Sequence, residues 1–401
     1  MKIELHILQN FAPSNLNRDD TGAPKDCELG GWRRARISSQ SQKRAVRELF
    51  RIDGLLAEDE LATRTKRLVH SITDRLVTHH EHEREVASQL AIGAIEGVGL
   101  GRNKKGEAED LWKTEYLLFV PRRIVDALAA LLDANREELI KNLAPSDEDG
   151  DGKKKGKAKG KKGAKGDYPK EIRKEVEALL ESARGTVDLA LFGRMIADKP
   201  QWNVDASCQV AHAVSTNRLQ ADFDFFTAVD DFKPNDTAGS DMMGSVQFNS
   251  SCYYRYAVLD VDSLRKNLDV EETDQLVGKA VDAFTRAFVS AIPSGKQNSM
   301  AAHNFPSYVL AVVRDGGQPI SLANAFLKPA RPSEDRDLVD DSVEKLERYF
   351  DRFRGDVLEP RLAVTWTDGD RPCVGGDGVT RAETLADFYR QVTAHAGGAS
   401  A

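Results

Sequence analysis

The stretch RRARISSQSQKRAVR, residues 33–47, predicts both the start of a helix and a cationic surface. Ser39 and Gln42 match the Ser-x-x-Gln capping box, in which two side chains satisfy unpaired amides at a helix start. A helix is therefore predicted to begin there. Helical spacing then gives an apolar face, Ala45, Val46, Leu49 and Phe50, and a basic face, Lys43, Arg44, Arg47 and Arg51.

The basic residues of this stretch contrast with an acidic chain. The formal net charge is −7, yet no acidic residue occurs between Glu28 and Glu48. Because exposed amides at a helix start attract anions, a backbone phosphate could lie near residues 38–41, with Lys43 and Arg47 closing around it. This pattern favours nucleic-acid binding without base identity. The alternative is a solvated amphipathic helix, although such helices normally mix charges of both signs.

Composition limits the class of protein. Apolar residues make up 40% and charged residues 30% of the 401-residue chain, as in ordinary globular proteins. No apolar run reaches the roughly 20 residues that a membrane span needs. The first eight residues alternate polar and apolar side chains, which predicts a strand and not a secretory signal. Four widely spaced cysteines predict neither a zinc site nor a disulfide framework, so we expect a cytoplasmic protein.

Helical periodicity dominates the chain before a low-complexity segment. Apolar residues recur at helical spacing over residues 50–120 and again over 124–139. Residues 147–167 begin with a cluster of acids and continue with eight lysines among Gly and Ala. Such a loop cannot form a core and is predicted to be disordered. It could tether nucleic acid, or it could be a solvated insertion.

The second half of the chain mixes strands with helices. A helix is predicted at 171–183, a short buried strand at 187–192 and a further helical segment at 203–217. Residues 222–249, flanked by aromatic clusters, predict a long hairpin. Later strands are predicted near 253–261, 308–314 and 362–366, and later helices near 272–292, 342–354 and 381–393. One core sheet interrupted by two insertions, an α+β fold, would accommodate this order.

Several short strings in this order resemble the CasC backbone subunit of type I-E CRISPR Cascade. The first group is LNRDD at 16–20, KD at 25–26, GG at 30–31 and RRARISSQSQKR at 33–44. The second group is LALFGRM at 189–195, AHA at 211–213, FTAVDD at 226–231, YRY at 254–256, GKQ at 295–297 and LANAF at 322–326. Each string alone is short, but their number and order cover nearly the whole chain. The helical block and the lysine-rich loop match poorly.

The resemblance implies a three-part architecture. It implies a modified RRM-like (ferredoxin-like) palm formed by residues 1–50, 186–221 and 251–401. A helical fingers domain at 51–185, which includes the loop at 147–167, and a β-hairpin thumb at 222–250 would be inserted in the palm.

The resemblance also implies a function in antiviral defence. Copies of the chain would form a filament along one CRISPR RNA (crRNA), grip its phosphate backbone and kink it at regular intervals with the thumb. The exposed guide bases would then pair with a target DNA strand in an R-loop. Implied partners are the large, small, 5'-handle-capping and crRNA-processing subunits of Cascade. No catalysis, cofactor, metal or membrane contact is implied.

Site residues follow from the same motifs. The implied RNA contacts are Arg18, Lys25, Arg34, Ser38, Ser39, Gln40, Lys43, Arg44, Arg47, Arg194, Met195, Lys296 and Gln297. The implied thumb tip contains Phe226, Thr227 and Met243. Three of these residues have ordinary alternatives: Met195 could pack in a core, Met243 could contact a neighbouring subunit or a small core, and Lys296 could lie in a surface turn.

Two enzyme classes compete with this interpretation. A metal-dependent ribonuclease of a related CRISPR effector would use carboxylates such as Asp19 and Asp20, or the run of histidines at 79–82. His79 and His82 could share a helix face, but no further ligand motif accompanies them. A small-molecule α/β enzyme normally carries a glycine-rich phosphate loop or a nucleophile elbow, and the sequence contains neither.

Overall fold

The amino-terminal strand, β1 (Lys2–Ser14), lies inside a ten-stranded sheet in the computed structural model. The structure describes residues 1–101, 113–143, 168–228, 242–269, 273–355, 357–369, 371 and 378–396. It consists of two units, which are described separately. The first unit is Met1–Leu56, Ser207–Lys266 and Val270–Ala401, and the second is Ala57–Ala206 with Asn267–Asp269.

The sheet belongs to the first unit. Its other strands are β2 (Asp26–Leu29), β3 (Trp32–Ile37), β6 (Cys208–Val210), β7 (Ala213–Ser215), β8 (Asp222–Ala228), β9 (Met242–Asp260), β10 (Tyr308–Arg314), β11 (Leu362–Thr367) and β12 (Thr380–Arg381). The order is β12-β11-β10-β1-β9-β7-β3-β2, and β6 and β8 also pair with β9. Pairing is antiparallel except between β11 and β12.

The helices complete a mixed architecture. Those of the described residues are α1 (Ser39–Ile52), α2 (Leu68–His80), α3 (Arg84–Gly97), α4 (Arg122–Ala134), α5 (Arg136–Leu143), α6 (Lys170–Glu181), α7 (Val187–Phe192), α8 (Val261–Leu268), α9 (Thr273–Ser290), α10 (Gln297–Met300), α11 (Leu338–Asp351) and α12 (Leu385–Ala396). The predicted α+β class is confirmed, whereas the RRM-like description of the palm stays a prediction. Within the described ranges, no helix combines the length and apolarity that crossing a membrane requires.

Two predicted elements are wrong. Residues 187–192 form a helix, α7, instead of a strand, because an apolar run that is buried all round carries no period to distinguish the two. Residues 203–217 contain β6 and β7 instead of a helix. Their backbone groups pair with β9, so long-range sheet pairing overrides the local helical spacing.

The second unit is a helical core with one short two-stranded sheet, β4 (Ala62–Thr65) and β5 (Leu118–Pro121). Its buried side chains include Ile196 and Trp202, so residues beyond the predicted boundary at 185 pack with this unit. Tyr168 is buried in the same core and its hydroxyl donates to the Leu90 carbonyl at 2.6 Å. The predicted disordered loop at 147–167 lies outside the described residues.

Buried polar side chains cross the centre of the ten-stranded sheet. The His6 ring nitrogen Nδ1 lies 2.8 Å from the Tyr254 hydroxyl. Tyr256 donates to Glu4 Oε2 at 2.6 Å, and Arg314 Nε donates to Glu4 Oε1 at 3.0 Å. Burial, assisted by the charge of Arg314, lowers the pKa of His6 from 6.5 to about 3. His6 is therefore neutral in the folded protein at physiological pH.

This neutral histidine predicts an acid-sensitive fold. Between pH 6.5 and pH 3 the unfolded chain binds a proton at His6 that the folded chain does not, so the stability of the fold decreases as pH falls through that window. We compare the free energy of unfolding in urea at pH 7.5 and at pH 5.0. Between these two pH values we expect it to decrease by about 1–2 kcal/mol more in the wild type than in His6→Gln. Equal losses in the two proteins would contradict the assignment of this acid sensitivity to His6.

Candidate nucleic-acid interface

Helix α1 begins at Ser39, as predicted, but its cap differs from the predicted capping box. The N-cap is Ser38, whose hydroxyl accepts from the Ser41 amide at 3.3 Å. Gln42 instead donates to the Ala211 carbonyl at 2.9 Å, because it lies on the buried face of the helix. No acidic residue occupies the first turn, so no carboxylate of the helix itself offsets the positive end of the helix dipole there.

Cationic side chains surround this helix start. Asn17 links the backbone of Lys25 to this helix start. Its side-chain oxygen accepts from the Ser38 amide at 2.8 Å, and its carbonyl accepts from the Lys25 amide at 2.9 Å. The Arg36 guanidinium lies 3.0 Å from Nδ1 of His212. Burial lowers the pKa of His212, and the charges of Arg36 and Lys25 lower it further. Two cationic side chains, Arg36 and Lys25, therefore act on His212.

Lys43 and Arg47 lie one helical turn apart and are half-buried. Lys43 is close enough to Cys208 to oppose the effect of burial, which raises the pKa of that thiol to about 12. By helical spacing, Lys43 and Arg47 lie on the side of the exposed face of α1 that is away from Ser41. The structure thus places Lys43 and Arg47 on the flank of α1 that is near β6.

The opposite flank of α1 faces an open groove of about 590 Å³. Its lining comes from residues 16–22, from Ser41, Arg44, Ala45 and Glu48, and from residues 293–295. Arg44 Nε donates to Glu48 Oε1 at 2.7 Å on its rim, and this ion pair raises the pKa of the guanidinium. Ser39 and Gln40 precede Ser41 in the first turn of α1. Gln40 is exposed and Ser39 is half-buried. Arg44, three residues before Arg47, thus extends the basic face of α1 to the rim of this groove.

A second cavity, of about 380 Å³, lies at the base of the β8–β9 hairpin. Arg18 and Lys296 line it together with Phe223 and with residues 21–23 and 245–247. Lys296 has a left-handed backbone (φ 53°). Two cations and an aromatic side chain thus meet in one concave surface, which suits a phosphate beside a base.

The described part of the hairpin has one exposed apolar face. Cross-strand partners share a face, so the pairs Phe223 with Gln247, Phe225 with Ser245 and Thr227 with Met243 point the same way. Phe223 is 70%, Phe225 64% and Met243 68% exposed. We name Phe223, Phe225 and Met243 the hairpin apolar face.

Phe226 lies on the other face of the hairpin from the predicted tip residues Thr227 and Met243. Its ring covers Gly244, where an added Cβ would come within 2.4 Å of the ring. Phe226 is therefore less suited to stack on a nucleotide beside Met243 than Phe223 and Phe225 are. Those two residues were not among the predicted contacts, although the alternation of Asp222 to Phe225 is a period-2 signal that could have identified them.

Arg34 was predicted to contact RNA, but the structure assigns it a structural role. It is fully buried, with one guanidinium nitrogen donating to the Ser215 and Thr216 carbonyls at 2.9 and 2.7 Å, and the other to the Phe326 carbonyl at 2.5 Å. A side chain so enclosed cannot reach a phosphate. Arg36, two residues along the strand, is the basic residue that lies beside the helix start.

Arg194 and Gln297 are also held by protein carbonyls. Within the second unit, Arg194 donates to the carbonyls of Trp202, Phe119 and Ala183 at 2.9 to 3.2 Å, and burial lowers its pKa to about 10. Gln297 donates to the Pro293 and Ala302 carbonyls, both at 3.3 Å, and so stabilises its own loop. Both side chains thus have structural roles within the protein, and their contacts with RNA stay predictions.

Met195 follows Arg194 but has the opposite environment. Its side chain is 84% exposed, which rules out core packing within this chain. The Met195 side chain therefore remains available to a nucleotide or to another subunit.

Asp19, one of the carboxylates considered for a metal-dependent nuclease, is hydrogen-bonded within its own loop. Asp19 Oδ1 accepts from the Thr21 hydroxyl at 2.7 Å and from the Thr21 and Ala23 amides at 2.9 and 3.0 Å. These bonds, chiefly that from the Thr21 hydroxyl, lower the pKa of Asp19 and give its carboxylate a role in shaping the loop. Among the described residues, no group of three or more His, Cys, Asp and Glu is placed to hold a metal ion.

The histidines at 79–82 are arranged differently from the prediction. Helix α2 ends at His80 and Glu81 has a left-handed backbone, so His79 and His82 do not share a helix face. His79 contacts Arg75 at 2.7 Å. His80 and His82 both contact Asp133, at 3.0 and 2.7 Å. The two contacts with Asp133 connect the end of α2 to α4.

Comparisons with known proteins agree on one family. A sequence model described as CT1975-like protein matches residues 3–378. A chain of a "CRISPR RNA-guided surveillance complex, pre-nicking" is similar with a TM-score of 0.82 and 32% identity, over 99% of this chain and 100% of that chain. A chain of another "CRISPR RNA-guided surveillance complex" has a TM-score of 0.72 and 27% identity, over 98% and 100%. No curated protein matches the sequence.

Proposed function

Because this chain belongs to the CT1975-like protein family, we propose that it is the crRNA-binding backbone subunit of a type I-E CRISPR surveillance complex. Several copies assemble along the spacer of one guide RNA, with the remaining subunits of the complex at its ends and sides. The protein holds the RNA backbone, and base pairing with the target DNA strand supplies sequence choice as an R-loop forms.

The cavity at the base of the β8–β9 hairpin is the observation that carries this proposal. Arg18 and Lys296 line it beside Phe223, the first residue of the hairpin apolar face. Cations hold phosphates without reading base identity, and an exposed aromatic or thioether side chain can pack against a displaced base. This arrangement supports the proposed kinking of the guide by the thumb, residues 222–250.

The helix start of α1 provides a second phosphate contact in this proposal. Lys25 is linked to the Ser38 amide through Asn17, Arg36 lies two residues before the N-cap Ser38, and Lys43 and Arg47 lie on the exposed face of the same helix. Arg44 faces the groove on the other flank. A basic face that extends from Lys43 and Arg47 to Arg44 suits an extended strand that crosses α1 better than it suits a single bound anion.

Purification without added RNA tests the proposal. We expect the protein to copurify with RNA, and we expect its affinity to fall with salt by about 0.7 log units per log unit of salt for each neutralised phosphate. RNA-free protein whose binding to single-stranded RNA is independent of salt would contradict it. Incubation with labelled RNA and a divalent metal should give no cleavage, and metal-dependent products abolished by Asp20→Asn would instead support the ribonuclease alternative.

The hairpin apolar face predicts a specific loss of affinity. We expect Phe223→Ala with Phe225→Ala to weaken RNA binding about 10- to 100-fold without changing the salt slope, because stacking contributes about 1–3 kcal/mol per base. Phe305→Ala is the matched control, since Phe305 is also an exposed aromatic residue of the first unit. Fluorescence anisotropy with labelled single-stranded RNA measures both variants. Equal affinity of the double variant and the control would exclude stacking by this face.

A further inference from the structure

Asn15 is a buried residue that is hydrogen-bonded to two segments lining the cavity at the base of the β8–β9 hairpin. It directly follows β1, at the point where the pairing of β1 with β9 shifts register between Phe11 and Ser14. Its side chain is fully buried. The amide nitrogen donates to the Gly22 carbonyl and to the Gln247 carbonyl, each at 3.0 Å. One side chain thus joins the loop that carries Arg18 to the base of the hairpin.

A third segment that lines this cavity packs against the backbone of the same residue. At Gly295, an added Cβ would lie 2.3 Å from the Leu16 carbonyl oxygen and 2.8 Å from that of Asn15. The loop that presents Lys296 is therefore packed directly against residues 15–16, at a distance that only glycine permits. Arg18, Lys296 and the hairpin base are all positioned through this point.

The hydrogen bonding of Asn15 indicates what its amide contributes. Both N–H groups are used, whereas the side-chain oxygen has no hydrogen-bond partner among the described residues. Two carbonyl oxygens in a buried site need donors, and leaving them without donors is unfavourable. A side chain with two N–H groups on one nitrogen satisfies both carbonyls at once and fixes the distance between their segments.

We propose that Asn15 is a positioning residue for RNA binding. It holds the Arg18 loop against the base of the β8–β9 hairpin, so that the cations and the hairpin apolar face act on the guide as one rigid surface. This inference rests on the proposed function, because it concerns the same cavity. Asn15 itself is buried and does not touch the nucleic acid.

Hydrogen exchange on the RNA-free, full-length protein tests the positioning role independently of RNA. In Asn15→Ala we expect amides of residues 17–25 and 245–248 to exchange at least about tenfold faster, while those of α1 are unchanged. Asn15→Ser is the second variant, in case the alanine variant does not fold. Asn249→Ala is the matched control, because Asn249 is a buried neighbour whose side-chain oxygen accepts from the Tyr253 hydroxyl.

RNA binding by the same variants gives the second readout. We expect the affinity to fall at least tenfold, with a salt slope smaller by about 0.7 to 1.4 as one or two phosphate contacts are lost. Asn249→Ala should keep the wild-type slope. Unchanged exchange in the Asn15 variants would overturn the proposal, as would faster exchange with unchanged affinity and slope. A third outcome separates the two proposals. If the wild type bound no RNA but the Asn15 variants still showed faster exchange in residues 17–25 and 245–248, the proposed function would be wrong. The role of Asn15 in holding these two segments together would still be supported.

Discussion

Reversing the charges of Lys43 and Arg47 together is expected to remove guide RNA from the purified protein. The two side chains lie one turn apart on one flank of α1, beside a helix start with no acidic residue in its first turn. Charge-assisted hydrogen bonds to phosphate contribute about 1.5–3 kcal/mol each, so losing two of them weakens binding more than about hundredfold. The introduced carboxylates add repulsion.

The measurement is the RNA content and RNA affinity of Lys43→Glu with Arg47→Glu. Lys170→Glu with Lys174→Glu is the matched control, because those lysines have the same spacing and are exposed on α6. The control has the same net charge as the test variant and should retain RNA. Circular dichroism establishes that both variants fold. Retention of RNA by the folded test variant would show that this flank of α1 is not a phosphate surface.

Arg255→Leu is expected to lower the free energy of unfolding by about 3–5 kcal/mol, because it removes the donor of a buried network. Arg255 is 3% exposed. Its guanidinium donates to Gln9 Oε1 at 2.6 Å and to the Phe288 and Val289 carbonyls at 2.5 and 3.3 Å. Burial lowers its pKa to about 10. A leucine leaves these oxygens buried without that donor.

Arg255 also contacts helix α1 of the candidate nucleic-acid interface, through Gln42. Its Nε donates to Gln42 Oε1 at 3.4 Å, and Gln42 in turn donates to the Ala211 carbonyl from the buried face of α1. Arg255→Leu should therefore loosen α1 as well as the sheet. Urea unfolding measures the change, and Arg265→Leu serves as the control because Arg265 is partly exposed. We expect Arg265→Leu to lower the free energy of unfolding by less than about 1 kcal/mol. Similar losses in both variants would contradict a special role for the Arg255 network.

The predictions that held are those with a strong local signal. The α1 helix has serines at its start and apolar residues at helical spacing, and Ala45, Val46 and Phe50 are buried as expected. The first strand of the long hairpin alternates polar and apolar residues, and β10 and β11 are short apolar runs rich in β-branched residues. The predictions for 187–192 and 203–217 failed because their structure depends on pairing and packing partners that are distant in sequence.

The same distinction between local signals and long-range contacts applies to the residues of the candidate site. The sequence alone determined that a cationic segment precedes and covers the start of a helix, because residue type and spacing suffice for that. Only the tertiary structure separated Arg34, enclosed by the Ser215, Thr216 and Phe326 carbonyls, from Arg36 at the helix start. It also joined Arg18, Lys296 and Phe223 in one cavity. Burial and proximity arise from contacts between segments up to 292 residues apart in the chain, such as Arg34 and Phe326, which local patterns do not encode.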